Sequence, residues 1–234
     1  MIRFIAIFML ALLCSSQPLK AFEPPQMYPA DRFIVTVFTD MWQDVPDNID
    51  LKTIQRGITI SSLQDMPVGR TNFSMAAGLE FSSHNIYSDN RYLFNPLTDA
   101  YDFYKIATEY DNNKLSLNYL GIPVQFRFRT RNMSKTFRVY AGMKADFLIS
   151  AHTKYVGKEY PDALNPVEFP LAGRHIKVKE YKLDNISKYR IGLTGMIGYR
   201  SINLYLYYPL TGMFTGNSAE NMTPVSVGVS FIVF

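Results

Sequence analysis

Hydrophobic and polar residues alternate along much of this chain with a period of two. Between residues 189 and 199, most odd positions carry Tyr, Ile or Leu, whereas the even positions carry Arg, Gly, Thr or Met. The alternation resumes after Ser201 and continues over residues 202–208. Because side chains alternate between the two faces of a β-strand, this stretch predicts two strands joined as a hairpin.

The same alternation predicts eight strands in all. Each has one face of large apolar side chains and one face of small or polar side chains. Pro123 lies within the fourth strand and cannot donate a backbone hydrogen bond, so we expect a bulge at residues 121–123. The predicted strands cover residues 31–39, 53–63, 72–86, 114–129, 136–155, 189–199, 202–208 and 224–234.

The connections between these strands alternate in length. Those after the second, fourth and sixth strands are short, whereas those after the first, third, fifth and seventh are long. An even number of antiparallel strands with this alternation is typical of outer-membrane barrels, which have short periplasmic turns and long extracellular loops. The sequence therefore predicts an all-β fold, an eight-stranded antiparallel transmembrane β-barrel with both termini on the periplasmic side.

A water-soluble sandwich or lipocalin-like barrel also alternates, but it would place the apolar band inside. The interior of an eight-stranded barrel is barely wide enough for side chains, so it could not hold this many large aromatic residues. Charged residues on the opposite face are expected to line the lumen and form ion pairs, because buried charges need partners. We expect Arg190 to pair with Asp146 or Glu80. The predicted lumen cluster is Glu80, Arg127, Lys144, Asp146 and Arg190, with Arg129 and Arg138 also facing inward.

The first residues have the pattern of a secretory signal peptide. Arg3 precedes an apolar run at residues 4–13, which is too short to span a bilayer as a helix. We assign residues 1–21 to the signal peptide and 22–234 to one barrel domain; cleavage at Ala21 and an earlier cleavage near Cys14 both stay open. Cys14 is the single cysteine, so the predicted mature chain has no disulfide and no cysteine-based metal site.

The formal charge of the whole chain is +4, and removal of Arg3 and Lys20 lowers it to +2. So small a charge does not indicate a nucleic-acid partner.

Three segments together resemble a known group of membrane proteins. They are NYLGIPVQFRFR at 118–129, VYAGMKADFLISAHTKY at 139–155 and PVSVGVSFIVF at 224–234. They resemble outer-membrane β-barrel proteins of the Bacteroidota, a porin-like group that includes the PorT-type barrel of the type IX secretion system. The resemblance implies a barrel in the outer membrane, and it implies no activity. The last segment is also similar to the signal that the barrel-insertion machinery binds, carried here by Ser226, Gly228, Phe231, Val233 and Phe234.

His84 and His152 are candidate catalytic residues, because parity places both inside the barrel near its extracellular end. Small barrel enzymes that modify lipid A use a histidine as general base beside a serine, and Ser82, Ser83 and Ser150 lie near these two histidines. The spacing assembles no acid with them and no metal-ligand motif. We therefore expect a protein without enzymatic activity, cofactor or metal, with a lipid A-modifying enzyme as an alternative.

The long loops are candidate binding surfaces. Residues 87–113 are rich in Tyr and Phe, which suit protein or glycan contacts. The alternating run HIKVK at 175–179 predicts a hairpin extension above the membrane, and Lys177, Lys179 and Lys182 could contact lipopolysaccharide phosphates. We expect a structural, accessory or recognition barrel, and attachment to an envelope or secretion complex is one role open to it. A porin-like channel for small solutes is the alternative.

Overall fold

The computed structural model describes residues 31–106, 108–130, 135–158, 175–216 and 219–233, and the part of the chain that it describes is built from β-strands and their connections. None of these residues belongs to a helix long and apolar enough to cross a membrane. The strands are β1 (Phe33–Gln43), β2 (Arg56–Pro67), β3 (Phe73–Tyr87), β4 (Asn90–Asn95), β5 (Ala100–Lys105), β6 (Tyr110–Arg129), β7 (Phe137–Lys158), β8 (His175–Tyr181), β9 (Tyr189–Tyr199), β10 (Ile202–Pro209) and β11 (Thr223–Val233).

Eight of these strands close into a barrel. Neighbours pair antiparallel in the order β1, β2, β3, β6, β7, β9, β10 and β11, and β11 pairs with β1. The closing pair runs from Phe33 opposite Val233 to Gln43 opposite Thr223 without a break in register. The predicted eight-stranded antiparallel barrel is therefore confirmed. The other three strands lie at the long-loop end, where β4 and β5 form a separate hairpin and β8 pairs with the end of β7.

The wall of the barrel has an apolar outside and a polar inside. Large apolar side chains such as Phe126, Met143 and Leu204 point outward and are about half exposed or more. The side chains between them point inward and are buried, including Arg127 and Asp146. Strands such as β9 and β11 have 11 residues each, which is the length that a tilted strand needs to cross the hydrocarbon core. An apolar outside without a second protein layer is the arrangement expected of a barrel wall that faces lipid.

The bulge expected at Pro123 was placed wrongly. Pro123 lies opposite Lys144, and β3 pairs with β6 in one register on both sides of the proline. The missing N–H therefore interrupts the ladder without adding a residue. The bulge lies higher on the wall, where Asn118 is opposite Ser150, Tyr119 is opposite Leu148, and Ile149 is the extra residue in β7.

The bulge at Ile149 changes which residues of β7 face inward. Below it the odd positions face lipid, as Phe147 does, whereas above it the odd residues Thr153 and Tyr155 are buried. His152 lies opposite Ser116 and Tyr181 on the outer face. The expectation that His152 faces the lumen is therefore wrong, because the extra residue shifts the alternation by one position.

An apolar cap covers the long-loop end of the barrel. The cap is a cluster of buried residues from the loops, the β4–β5 hairpin and the ends of β3 and β6, and Tyr92, Phe103 and Phe214 are among its aromatic members. Leu115 and Leu117 face inward into the cap from β6, whereas Lys114 and Ser116 face outward opposite Lys154 and His152. Above the bulge, the wall thus has an apolar inside and a polar outside, the reverse of the arrangement below it.

Candidate functional site

Four of the five predicted lumen residues, all except Arg127, form a buried ion-pair network in the middle of the barrel. Arg190 and Asp146 are directly opposite each other on β9 and β7, and Arg190 Nη2 lies 2.9 Å from Asp146 Oδ2. Lys144 Nζ is 2.7 Å from Glu80 Oε1 and 3.5 Å from Asp146 Oδ2. Asp146 is thus the partner of Arg190, one of the two acids expected for it. The network places two cations against two anions in a space closed to solvent.

His84 joins this network through Arg190 and also binds Asp40, which no sequence pattern singled out. His84 Nδ1 lies 2.8 Å from Asp40 Oδ2, and the hydroxyl of Ser226 donates to Asp40 Oδ1 at 2.6 Å. His84 Nε2 lies 3.1 Å from Arg190 Nη2. Because arginine has only donors, Nε2 must accept, so the ring is neutral with its proton on Nδ1. In this geometry the nitrogen that a general base would use is occupied by a guanidinium and not by a serine hydroxyl.

Aromatic rings fill the space between these charges. The guanidinium carbon of Arg190 lies 3.9 Å from the ring centre of Tyr119, and Lys144 Nζ lies 4.3 Å from that of Tyr207. A cation held over a ring face in a desolvated site is stabilised by the ring quadrupole. The rings therefore both occupy volume and help to keep the cations in place.

A second ion-pair cluster lies at the short-turn end of the lumen. Asp31 accepts from Arg138 Nε at 3.0 Å and lies 3.4 Å from Arg129 Nη1. Arg129 also contacts Asp65, and Arg127 donates to Gln125 Oε1 at 2.9 and 3.0 Å. All three arginines are almost completely buried. Inward parity identified the arginines from the sequence. Asp65 was missed because the second strand was predicted to end at residue 63, whereas β2 continues to Pro67.

The aromatic loop between β3 and β6 is partly internal. Tyr92 and Phe103, which the sequence suggested as contact residues, are buried in the cap, and Tyr92 Oη donates to the carbonyl of Asp184 at 3.0 Å. Arg91 fastens the hairpin to the wall, with Nη2 2.9 Å from Glu180 Oε1 on β8 and its guanidinium carbon 5.0 Å from the ring centre of Tyr155. This part of the loop is therefore a hairpin packed on the barrel and not a loop surrounded by solvent.

The exposed part of this hairpin is its tip. Leu97 is 86% exposed and Phe94 is 44% exposed, and the Phe94 ring lies 5.4 Å from that of Tyr101. An exposed leucine beside aromatic rings is the kind of surface that binds other proteins. The tip is thus the part of the aromatic loop that is open to a partner.

The other two histidines lie outside the lumen. His152 stacks on Tyr181 with ring centres 5.6 Å apart, and its pKa is lowered by partial burial and by the charges of Lys179 and Lys114. His175 Nε2 lies 2.7 Å from Asp111 Oδ2 at the exposed end of β8. Within the described ranges, no three His, Cys, Asp or Glu side chains lie close enough together to hold a metal ion.

The residues of the predicted insertion signal lie on the closing strand, β11. Phe231 and Val233 face lipid, and Ser226 faces the lumen, where it binds Asp40. Gly228 lies opposite Phe38, and Gly57 lies opposite Phe38 on the other neighbouring strand. The glycines leave room for the buried Phe38 ring. Phe234 and the predicted signal peptide, residues 1–21, lie outside the described residues.

Comparison with known proteins identifies one family. A family model described as "Outer membrane protein beta-barrel domain" matches residues 34–215, which include seven of the eight barrel strands. The comparisons with curated proteins and with solved structures found no match.

Proposed function

The chain belongs to the outer membrane β-barrel domain family, and from this membership and the geometry of the lumen we propose that it is a non-conducting barrel with an accessory or recognition role. The barrel lies in the outer membrane, and the loops present the β4–β5 hairpin to the exterior. We further propose export through the predicted signal peptide, insertion through the β11 signal and attachment to an envelope or secretion complex. The resemblance to the PorT-type group supports this last step.

The observation that supports a closed barrel most strongly is the filling of the lumen. At the short-turn end, Arg127, Arg129 and Arg138 are bound to Asp31 and Asp65, and no more than 2% of any of these arginines is exposed. In the middle the network around Arg190 and Lys144 occupies the space, and the apolar cap covers the other end. The interior of an eight-stranded barrel is just wide enough for side chains of this kind, and it leaves no space for a wide water channel.

A recognition role is supported by the way the hairpin is held. Asn113 Nδ2 donates to the carbonyls of Ser88 and Asn90, each at 2.8 Å, at the base of the hairpin. Arg91 ties its side to β8, and Tyr92 and Phe103 bury its inner face. A surface that is ordered before binding loses less conformational entropy when a partner arrives.

A channel for small solutes is the second candidate. Arg190 Nε, Arg190 Nη1 and the hydroxyls of Tyr119 and Tyr207 have no hydrogen-bond partner among the described residues. Buried polar atoms without a protein partner are the groups that internal water binds, and water in the lumen is a precondition for a channel. The two candidates differ in one measurable property, the conductance of the purified protein.

The test is single-channel recording of the purified chain in a planar bilayer, with a sixteen-stranded porin as the positive control. We expect no discrete conductance steps from the wild type at insertion levels at which the porin shows them. Folding is checked in the same sample by heat-dependent mobility on a gel. Discrete, reproducible steps from the folded wild type would contradict the closed barrel and favour the channel.

We propose that the protein has no lipid-modifying activity, because His84 is bound at both ring nitrogens by Asp40 and Arg190. His152 faces away from the lumen and stacks on Tyr181. We expect lipid A from cells that produce His84→Ala or His152→Ala to give the same mass spectrum as lipid A from cells that produce the wild type. If either variant caused the loss of a lipid A species, the proposal would be wrong and the lipid-modifying enzyme would be favoured.

A further inference from the structure

The outer face of the wall carries a row of cations just beyond the lipid-facing band. Lys114, Lys154 and Lys179 are directly opposite one another on β6, β7 and β8, and Tyr87 on β3 lies opposite Lys114. The adjacent row, one step nearer the membrane, consists of Arg56, Asn85, Ser116, His152 and Tyr181. We call Arg56, Lys114, Lys154 and Lys179 the cationic belt.

The belt is continuous with the membrane-spanning surface. Phe81, Leu120 and Phe147 form the last apolar row of the wall, and Ser83, Asn118 and Ser150 form the single row between it and the row of Arg56. Lysine and arginine side chains are long enough to extend over one such row while their stems cover apolar surface. The belt therefore lies at the height of lipid headgroups, at the long-loop end of the barrel.

The charges of the belt are not neutralised by carboxylates in the part of the chain that the structure describes. Among the residues that the structure describes, no carboxylate forms an ion pair with Arg56, Lys114, Lys154 or Lys179. Lys114 Nζ is instead 2.7 Å from the amide oxygen of Asn85. The ring of Tyr87 lies between Arg56 and Lys114, at 5.6 and 5.9 Å. Like charges placed directly opposite each other destabilise a sheet, so this arrangement is costly without an anion.

The titration of Lys114 agrees with this geometry. Its pKa is lowered by partial burial and by the charges of Lys154, Lys179 and Arg56. The three neighbours that lower it are the other members of the belt. An anion bound between them would reverse this effect.

We propose that the cationic belt binds the phosphate groups of an anionic glycolipid of the lipid A type in the outer leaflet. Lysines bind phosphate as point charges, and charge-assisted hydrogen bonds to phosphate are the strong ones. The aromatic rings of Tyr87 and Tyr181 suit the boundary between hydrocarbon and headgroup. The acyl chains would lie on the apolar band directly below. This site rests on the membrane placement of the barrel and is independent of the role proposed for the hairpin.

The test is native mass spectrometry of the whole barrel in a neutral detergent, titrated with diphosphoryl lipid A. Each lysine near a phosphate surface contributes about fivefold in affinity, so we expect Lys114→Gln/Lys154→Gln/Lys179→Gln to bind about a hundredfold more weakly than the wild type. The matched control is Lys52→Gln/Lys105→Gln/Lys158→Gln. It removes the same charge from lysines that are paired with Asp89, Asp50 and Glu109 at the loop end, and we expect its affinity to stay within twofold of the wild type.

Two further measurements separate the phosphate from the rest of the lipid. Lipid A stripped of both phosphates should bind the wild type as weakly as diphosphoryl lipid A binds the triple variant. The charge-conserving Lys114→Arg/Lys154→Arg/Lys179→Arg variant should recover most of the affinity. Equal binding of both lipids, equal loss in both glutamine variants, or displacement of the lipid by millimolar inorganic phosphate would overturn the proposal.

Discussion

Asp146 holds two buried cations at once, Arg190 at 2.9 Å and Lys144 at 3.5 Å. Removing one partner from a buried ion pair leaves a charge without compensation, and this loss is larger than the net contribution of the intact pair. At the residue scale, the stability of this barrel is therefore most sensitive to its lumen carboxylates.

The substitution Asp146→Asn keeps the shape of the side chain and removes its charge. We expect it to lower the free energy of unfolding by about 3 kcal/mol, because Asp146 is the one carboxylate that forms an ion pair with Arg190 among the described residues. The measurement is urea unfolding of the barrel in detergent micelles or vesicles. Asp111→Asn removes the same charge from an exposed pair with His175 and should cost less than about 1 kcal/mol. Equal losses in the two variants would refute the role given to Asp146.

The sequence was enough to predict that these charged side chains point inward. It predicted only some of their ion-pair partners. Parity alone places Glu80, Arg127, Lys144, Asp146 and Arg190 on one face, since lipid on the other side enforces a strict alternation. It could not indicate that Asp31 lies beside Arg138 or Asp40 beside His84, because these contacts cross the lumen between strands far apart in sequence.

At the scale of the strand, β1 and β11 form the seam that closes the barrel. Phe38 lies between Gly57 and Gly228 in neighbouring strands. A Cβ atom at Gly228 would lie 2.2 Å from the carbonyl oxygen of Val37 and 2.6 Å from Phe38 Cβ. Because both of these atoms belong to the paired strand or lie next to its backbone, the strand itself would have to move.

We therefore expect Gly228→Ala to destabilise the barrel by about 1–3 kcal/mol, as overpacking usually does. The folded fraction on a heat-modifiability gel and the urea midpoint report the loss. Gly195→Ala in β9 is the matched control, since its new methyl group would meet nothing within 4 Å, and its effect should stay within about 0.5 kcal/mol. If Gly228→Ala is as stable as this control, the close approach of β11 to β1 at Gly228 does not contribute to stability.

Element boundaries show where sequence reasoning succeeded and failed. β9 was predicted over residues 189–199 and has these bounds, because its large apolar residues keep one parity from end to end. In β7 the extra residue Ile149 is hidden in the sequence, where apolar residues continue on odd positions on both sides of it. The apolar residues before Ile149 face lipid and those after it face the cap, but the sequence shows no break between the two groups. Parity alone therefore assigned His152 to the wrong face of the strand.

At the scale of the whole molecule, the barrel has two unlike ends. Short turns, the start of β1 and the end of β11 lie at one end, and the cap, the β4–β5 hairpin and β8 lie at the other. In an outer-membrane barrel the long loops face the exterior. Because the predicted mature chain has no cysteine, a single introduced cysteine can report which end is which.

We expect Leu97→Cys, at the exposed hairpin tip, to react with a membrane-impermeant maleimide on intact cells. Val68→Cys, in the turn between β2 and β3, should react only after the outer membrane is permeabilised. Both native side chains are exposed, at 86% and 46%, so a difference in labelling reports the side of the membrane. The reverse labelling pattern would show that the barrel has the opposite orientation in the membrane.

The change of polarity at the bulge has a mechanical consequence for the whole molecule. On β3, β6 and β7, the wall below the row of Ser83, Asn118 and Ser150 contacts hydrocarbon, and the wall above this row contacts lipid headgroups and water. Sinking by one row would submerge polar side chains, and rising by one row would lift Phe81 and Phe147 into water. On β3, β6 and β7, each displacement is opposed by the transfer free energy of the side chains in these rows. The protein is therefore held at a fixed depth in the membrane. This depth keeps the hairpin tip at a constant height above the cell surface.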